Sequence, residues 1–504
     1  MNVINLQENQ IKELGEKVSI YYQDKPSTNM EGRQKSQKLA AGLKSLGVGR
    51  GDHVVISLMN SPEVLTCFSA IWRIGAVVVP IMFLLGEDET RYILDHSDAK
   101  VVITSADLLT KINNARKGIG HIEKIIVLGG QDDEDQVGFE SLLERSPVDE
   151  SIEHMDGEDL AMMMYTSGTT GRPKGVMLTH NNLQNAAESS YESSRVDKAV
   201  IALFCLPLAH IFGAITFITG FIGRFRESHW VIMRWFDPEE IFRLIDKYKV
   251  NLFFGVPTMY QILLNHPKAD QYDLSSLERC NIGAAPVTPE LYRAFTEKFQ
   301  CGMYEVYGMT EHPGGVAMCR PGMKIKTGSC GISAPGVTVK IFDRSDKELP
   351  PHEPGEIVVR GPNVMKGYYK DPKATAEILR GGWLHTGDVG YLDEEGYLYI
   401  TDRIKDMIIK GGENIYPVEI EKVLVENPKI LEAAVIGIPD QKYGEEVMAL
   451  IIKRPNEELT EEEVIQFTKT KIAPFKCPAK VKFMDALPKT LTGKVLKKEL
   501  RKMV

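Results

Sequence analysis

The sequence predicts an α/β protein in two bodies: a large N-terminal domain of mostly parallel sheets covered by helices, residues 1–403, and a small C-terminal α+β domain, residues 404–504. Three observations carry that prediction. Unalternating apolar runs recur between amphipathic stretches, the pattern of strands covered on both faces by crossover helices. The length, 504 residues, is about three domains' worth at roughly 150 residues each. The charge balance also changes sign: residues 404–504 hold 18 basic and 16 acidic side chains, net +2, against −11 before them.

The first predicted element is a helix over Arg33–Leu46, with Leu39, Leu43 and Leu46 on one face and Gly47 just past its end. Val54–Ile81 reads as strand–helix–strand: Asn60 or Ser61 can cap the helix, Pro62 suits its first turn, and Gly75 ends it. Apolar strands follow at Val101–Thr104 and Lys124–Gly130. In the C-terminal part the expected pieces are a short strand at DMII, a helix over Pro417–Val425, strands at AAVIGI and VMALIIK, and a helix around Thr460–Thr470. TDRIKD, Thr401–Asp406, links the two parts, with Lys405 as the expected hinge.

Hydrophobic residues at 43% and charged residues at 26% exclude a disordered, collagenous or coiled-coil protein. A net charge of −9 and a pI near 5.8 provide no field that would gather nucleic acid or anionic lipid. The seven cysteines are odd in number, scattered and without a C-x-x-C pair, which argues against a disulfide framework or zinc site. The polar, acidic start lacks the apolar core of a signal peptide. The longest apolar run, Ile211–Gly223, is too short to span a bilayer and holds three glycines. The expectation is a cytoplasmic protein with no transmembrane segment and no nucleic-acid partner, its assembly left open between monomer and homodimer.

The most informative stretch is YTSGTTGRPKGVMLTH, Tyr165–His180. Thr166, Ser167, Gly168, Thr169, Thr170, Gly171 and Lys174 place two glycines, four hydroxyls and one lysine within nine residues. Glycines let backbone N–H groups turn inward, hydroxyls donate, and the lysine supplies a point charge, so the composition makes a phosphate cradle. It is not a Walker A loop, which needs G-x-x-x-x-G-K-[ST]. TSGTTG followed by PKG resembles the signature loop of the adenylate-forming enzymes: acyl-CoA synthetases, luciferases and the adenylation domains of peptide synthetases.

Further motifs of that family follow in order, and the resemblance runs from about Gly47 to the C-terminus. LPLAHIFG, Leu206–Gly213, resembles the pocket motif in which His210 meets the substrate carboxylate. NIGAAPV, with Gly283, Ala284 and Ala285, resembles the turn that lies along adenine. In YGMTE (Tyr307, Gly308, Met309, Thr310, Glu311) the resemblance puts Tyr307 near adenine, Thr310 on the α-phosphate and Glu311 on Mg²⁺, with Thr166 a second metal ligand. HTGD implies that Asp388 holds the ribose hydroxyls. DRIKDMIIKGGENIYPVEIE carries Arg403 (ribose or phosphate), the hinge Lys405 and the thiol-facing Gly411–Gly412 loop; PKTLTGK places Lys494 as the adenylation lysine. His312–Pro313–Gly314–Gly315 reads as an unusual loop beside the acyl pocket.

A carboxylate is a poor electrophile, and joining it to AMP supplies a leaving group. The resemblance therefore implies attack of a carboxylate on the α-phosphate of ATP with loss of pyrophosphate, then transfer of the acyl group to the CoA thiol. Two anions must meet, so positive charge from Lys174, Lys494 and Mg²⁺ is expected to dominate. LPLAHIFG holds no aspartate for an amino-acid ammonium and no carrier domain follows Lys494, so a free-standing acyl-CoA synthetase is expected ahead of a peptide-synthetase domain. The expected acid is fatty, alicyclic or aryl, with Phe212, Phe217 and Phe254 in its pocket. Transfer to a carrier protein, oxygen chemistry, and a non-catalytic adenylate-binding role are the alternatives.

Overall fold

A computed structural model describes the chain except residues 167–171, 195–196, 286, 412 and 490–494 and the side chain of Asn414. Among the described residues, four sheets form. In the first, the strands His53–Ser57, Val77–Pro80, Ala99–Ser105, Lys124–Leu128 and Leu160–Thr166 run parallel. Gln136–Gly138 adds one parallel edge; Lys174–Thr179 and then Gly367–Tyr368 extend the other in antiparallel register. In the second sheet, Val18–Tyr22, His229–Ile232, Ile201–Phe204, Leu252–Gly255, Arg279–Gly283 and Gly302–Met309 are parallel neighbours. Lys25–Thr28 closes one edge antiparallel, and His312–Met318 with Ile332–Ser333 closes the other.

Side-chain alternation explains how the layers stack. Successive strand residues point to opposite faces. Val54 and Ile56 of the first sheet share a central core with Ala202 and Phe204 of the second, while Val55 and Leu203 turn into two separate outer cores. The central core also takes Leu39, Phe68, Leu183 and Ile215, so helices fill the space between the sheets. Strands buried on both faces have no polar side to alternate, which is why they read as continuous apolar runs.

The third sheet, Thr338–Phe342, Gly355–Arg360, Leu384–Leu392 and Leu398–Arg403, is antiparallel. The fourth lies in the C-terminal part: Ile408–Lys410, Glu413–Ile415, Ile430–Asp440, Gly444–Lys453 and Lys480–Phe483, with helices Pro417–Val425, Glu461–Lys469 and Lys497–Lys502. It has its own apolar clusters. The junction is bonded directly, the Asp402 carboxylate accepting the Val418 N–H at 2.9 Å, and within the C-terminal part Arg501 pairs with Asp406 at 3.2 Å.

Several expectations need correction. The first predicted helix begins at Asn29, not Arg33, because Thr28 and Glu31 form a reciprocal capping box. A helix, Ile4–Leu14, and the hairpin Val18–Tyr22/Lys25–Thr28 precede it and belong to the large body. Neither Asn60 nor Ser61 caps Pro62–Arg73 with its side chain. His312–Gly315 is no loop: it is the first half of the strand His312–Met318, paired antiparallel with Gly302–Met309. Ile211–Gly220 is a helix in the central core, and among the described residues no helix is long and apolar enough to cross a membrane.

Arg73 sits in that core at 0% exposure, bonded to Glu8 and to the Ser36 hydroxyl at 3.0 Å. Removing one partner of a buried pair leaves the other charge uncompensated. Glu8→Ala should therefore destabilise the large body by about 3 kcal/mol, read as a lower midpoint in urea followed by circular dichroism.

Candidate active site

A cavity of about 1340 Å³ opens where the two large sheets, the third sheet and the C-terminal part converge. Thr166 ends the strand Leu160–Thr166 and pairs in register with Lys174, the first residue of the next strand, so the ends of the phosphate stretch are held together. Ser167, Gly168, Thr169, Thr170 and Gly171 lie outside the described residues. Lys174 Nζ stands 4.7 Å from the centre of the Tyr368 ring, and the Tyr368 hydroxyl donates to Glu311 Oε1 at 2.8 Å. Burial, then the neighbouring Glu311 carboxylate, pushes the Tyr368 phenol up, so it remains a donor at neutral pH. Thr310 and Glu311 form the two-residue tip between paired Met309 and His312, and the Glu311 carbonyl accepts the Met365 N–H at 2.9 Å.

Gly283, Ala284, Gly308, Met309, Thr310, Glu311, Thr166, Lys174, His210 and Arg403 all reach this cavity. Ala284 adopts φ of +69°, left-handed backbone that a side chain tolerates poorly, at the turn expected to meet the base. Ala285, Tyr307, Asp388 and Gly411 do not line it, and Gly412 and Lys494 lie outside the described residues. Tyr307 packs its ring into the third sheet's core and donates its hydroxyl to Asp388 Oδ2 at 2.7 Å. Arg403 Nε meets the other oxygen, Oδ1, at 2.8 Å, so both oxygens of this buried carboxylate are engaged just behind the cavity wall.

His210 caps the helix Ile211–Gly220, its Nδ1 accepting the Phe212 N–H at 3.3 Å. An imidazole whose Nδ1 accepts carries its proton on Nε2. Desolvation lowers the His210 pKa from its ordinary 6.5, so the ring is a neutral Nε2–H donor at the cavity wall. Asn60 fixes the preceding turn, donating to the Leu206 carbonyl at 2.8 Å and accepting the Leu208 N–H at 2.9 Å. Phe212, Phe217 and Phe254 line the cavity as expected.

Three functional residues escaped sequence reasoning. Tyr368 meets Glu311 only where the two large sheets come together and gives no local signal. Asn60 was read as a cap because a lone asparagine before Pro62 looks like one. Glu356 supports the HTGD turn, accepting from Gly387 N–H at 3.2 Å and lying 2.8 Å from His385 Nδ1. Asp346, Glu356 and His385 are close enough to resemble a metal cluster, but Arg380 already bridges both carboxylates, at 3.1 and 3.0 Å. Glu311 and Thr166 are better suited to Mg²⁺: hard oxygen donors, both on the cavity, with Tyr368 engaging only one Glu311 oxygen.

A cavity that takes in Thr166 and Lys174, a Thr-Glu hairpin tip and Arg403, with Asp388 bonded to Arg403 behind its wall, fits a nucleotide-adenylating class. Residues 7–369 match the family described as AMP-binding enzyme, and residues 419–494 match the AMP-binding enzyme C-terminal domain. The chain belongs to the AMP-binding enzymes. It is 37% identical to a feruloyl-CoA synthase of an Amycolatopsis species over 92% of this chain and 91% of that one. It is 35% identical to a long-chain-fatty-acid–CoA ligase of Bacillus subtilis (strain 168), over 96% and 91%. The structure resembles ATP-bound MatB from Rhodopseudomonas palustris with a TM-score of 0.91 and 29% identity, covering 100% of this chain and 99% of that one. The family match starts at residue 7, well before Gly47, where the sequence reading began it.

The His210 geometry makes a direct prediction. Because its pKa is lowered, the ring stays neutral as the pH falls through 6.5 and protonates only below that. Nitrogen-15 NMR of histidine-labelled protein should show an Nε2–H tautomer, still mostly neutral at pH 6.5, whose signal is lost in His210→Asn while that of the similarly held His180 remains.

Proposed function

We propose that the protein is an AMP-forming acyl-CoA synthetase of the cytoplasm, activating a carboxylic acid with ATP and passing the acyl group to CoA. The observation that carries this reading is the continuity of one cavity, from Lys174, Thr310, Glu311 and Arg403 to the apolar wall of Phe212, Phe217 and Phe254. Phosphate chemistry and an acyl chamber share one space. The similarity to CoA ligases over more than nine-tenths of the chain supports the thiol acceptor.

The carboxylate enters already ionised, so its attack on the α-phosphate needs no general base. His210 Nε2–H, neutral and pre-oriented, donates to one carboxylate oxygen and aligns the other. Lys174, held by the Tyr368 ring, and Thr310 offset charge building on the α-phosphate as pyrophosphate leaves. Asp388, oriented by Tyr307 and Arg403, takes the ribose side. Glu311 and Thr166 would hold Mg²⁺, which screens the phosphate charges. Lys494 supplies the last positive charge, and its flanking residues Lys489 and Leu496 line the same cavity.

The thiol step needs the Gly411–Gly412 loop, and Gly411 does not reach the cavity in this arrangement. The reading therefore includes a rotation of residues 404–504 against residues 1–403 about Lys405, in the short turn Ile404–Asp406. This arrangement is the adenylating one.

Incubation with ATP, CoA and a panel of carboxylic acids should yield AMP, pyrophosphate and an acyl thioester; ADP with free phosphate would overturn the assignment. Glu311→Gln keeps shape and removes charge, and should slow adenylation by roughly 10²-fold, the scale for losing one electrostatic group at a reacting centre, with a raised Mg²⁺ requirement and an unchanged fold.

Single-turnover kinetics should separate the half-reactions. Lys494→Ala should abolish acyl-adenylate formation yet let supplied acyl-adenylate react with CoA. Lys405→Pro, with φ fixed by its ring, should form adenylate and fail in the thiol step. Equal slowing of both steps by Lys494→Ala would refute the two-pose mechanism.

A further inference from the structure

The cavity continues well past the phosphate and carboxylate positions, and its far end is basic. The path is traced by contacts. Phe212 lies against Gly283, where an added Cβ would stand 3.5 Å from its ring. Phe254 follows at 6.1 Å between ring centres, then Trp230 at 6.2 Å, and Trp230 Nε1 packs so closely on Gly220 that a Cβ there would meet it at 2.8 Å. The helix Ile211–Gly220 runs alongside, presenting Ile211, Ile215, Thr216 and Thr219 to the same space. From its first residue, Ile211, to its last, Gly220, the helix advances about 14 Å at 1.5 Å per residue. An extended carbon chain advances about 1.25 Å per bond, from a 1.52 Å bond at a 111° angle, so about eleven bonds span the chamber.

Lys17 and Arg224 stand at that far end. Lys17 Nζ donates to the Ser228 carbonyl, and Glu227 on the adjoining turn is near enough to act on it through space. Among the described residues neither cation has a carboxylate within 4.0 Å, and the Arg224 guanidinium rests 5.8 Å from the Tyr191 ring. Burial holds the Lys17 ammonium down to about 8, still largely charged at neutral pH. The helix-end carbonyls that would repel an anion are already taken: Gln10 Nε2 donates to Gly220 and Gly223 oxygens at 2.7 and 2.9 Å. Lys17 and His229 also wall a shallow surface pocket, so a charged group here keeps contact with water. Two cations with no carboxylate within 4.0 Å among the described residues, beyond the aromatic wall of Phe212, Phe254 and Trp230, form a site for the far end of a substrate.

We propose that this far end is a second anion subsite, and that the favoured acid is a medium-chain α,ω-dicarboxylic acid of about twelve carbons, one carboxylate at His210 and the other at Lys17 and Arg224. The inference rests on the acyl-CoA synthetase reading above and narrows its substrate. The test is pyrophosphate release by the full-length enzyme with ATP and CoA, comparing dodecanedioic with dodecanoic acid. The diacid should have a kcat/KM roughly tenfold higher, the scale of one charge-assisted hydrogen bond. Arg224→Met and Lys17→Met should each lower the diacid value several-fold while leaving the monoacid unchanged or improved, and Arg224→Lys should restore part of the preference. A wild-type enzyme that favours the monoacid, variants that change both acids equally, or turnover of other acids but neither of these, would overturn the subsite. Absence of pyrophosphate release with every acid in a broad panel would instead overturn the synthetase reading.

Discussion

Tyr368 is the contact on which the site depends. Its backbone pairs with the strand that follows the phosphate stretch, its ring lies under the Lys174 ammonium, and its hydroxyl holds Glu311 at the tip of a hairpin from the other large sheet. One side chain thus links the two sheets at the point where Lys174 and Glu311 both reach the cavity. The ring keeps Lys174 solvated by a quadrupole and not by an anion, leaving its charge available.

The surroundings follow the same logic of occupying one partner and leaving another open. Asp388 is buried, which would disfavour its charge, yet a tyrosine hydroxyl and an arginine hold it in orientation. Arg380 neutralises Asp346 and Glu356 beneath the HTGD turn, so the turn is stiffened by ion pairs at the cavity's edge, where Arg380 and Glu356 form part of the wall. His210 spends one nitrogen on a backbone N–H and keeps the other for the cavity. Each polar group is anchored on one side and presented on the other, and such anchoring lowers the reorganisation a reaction requires.

Much of this was legible in the sequence because the signals were local. The unalternating strands and the helix Pro417–Val425 come from short-range patterns, and the structure has them where the sequence places them. What escaped was set by distant pairing. The polar segment His312–Gly315 reads as a loop, yet lies in a strand because Gly302–Met309 and the helices packed over it supply its partners. Tyr368 and Glu311 are 57 residues apart, and nothing near either announces the other. Asn60 shows the same effect from the other side: a residue type suited to a local cap is recruited to a turn 146 residues away.

The hydrogen bond from Val418 to Asp402 has a consequence for the order of events. Its acceptor lies before Lys405 and its donor after it, so the rotation assigned to that hinge must exchange the bond for water. Such an exchange costs about 1 kcal/mol, roughly a fivefold ratio of populations. That is too little to lock the enzyme and enough to bias it at rest toward the pose with Lys489 and Leu496 over the cavity. An enzyme so biased meets nucleotide and acid before it is ready for thiol. On the proposed two-pose mechanism, that bias favours the nucleotide- and acid-binding pose at rest, with no separate gate invoked.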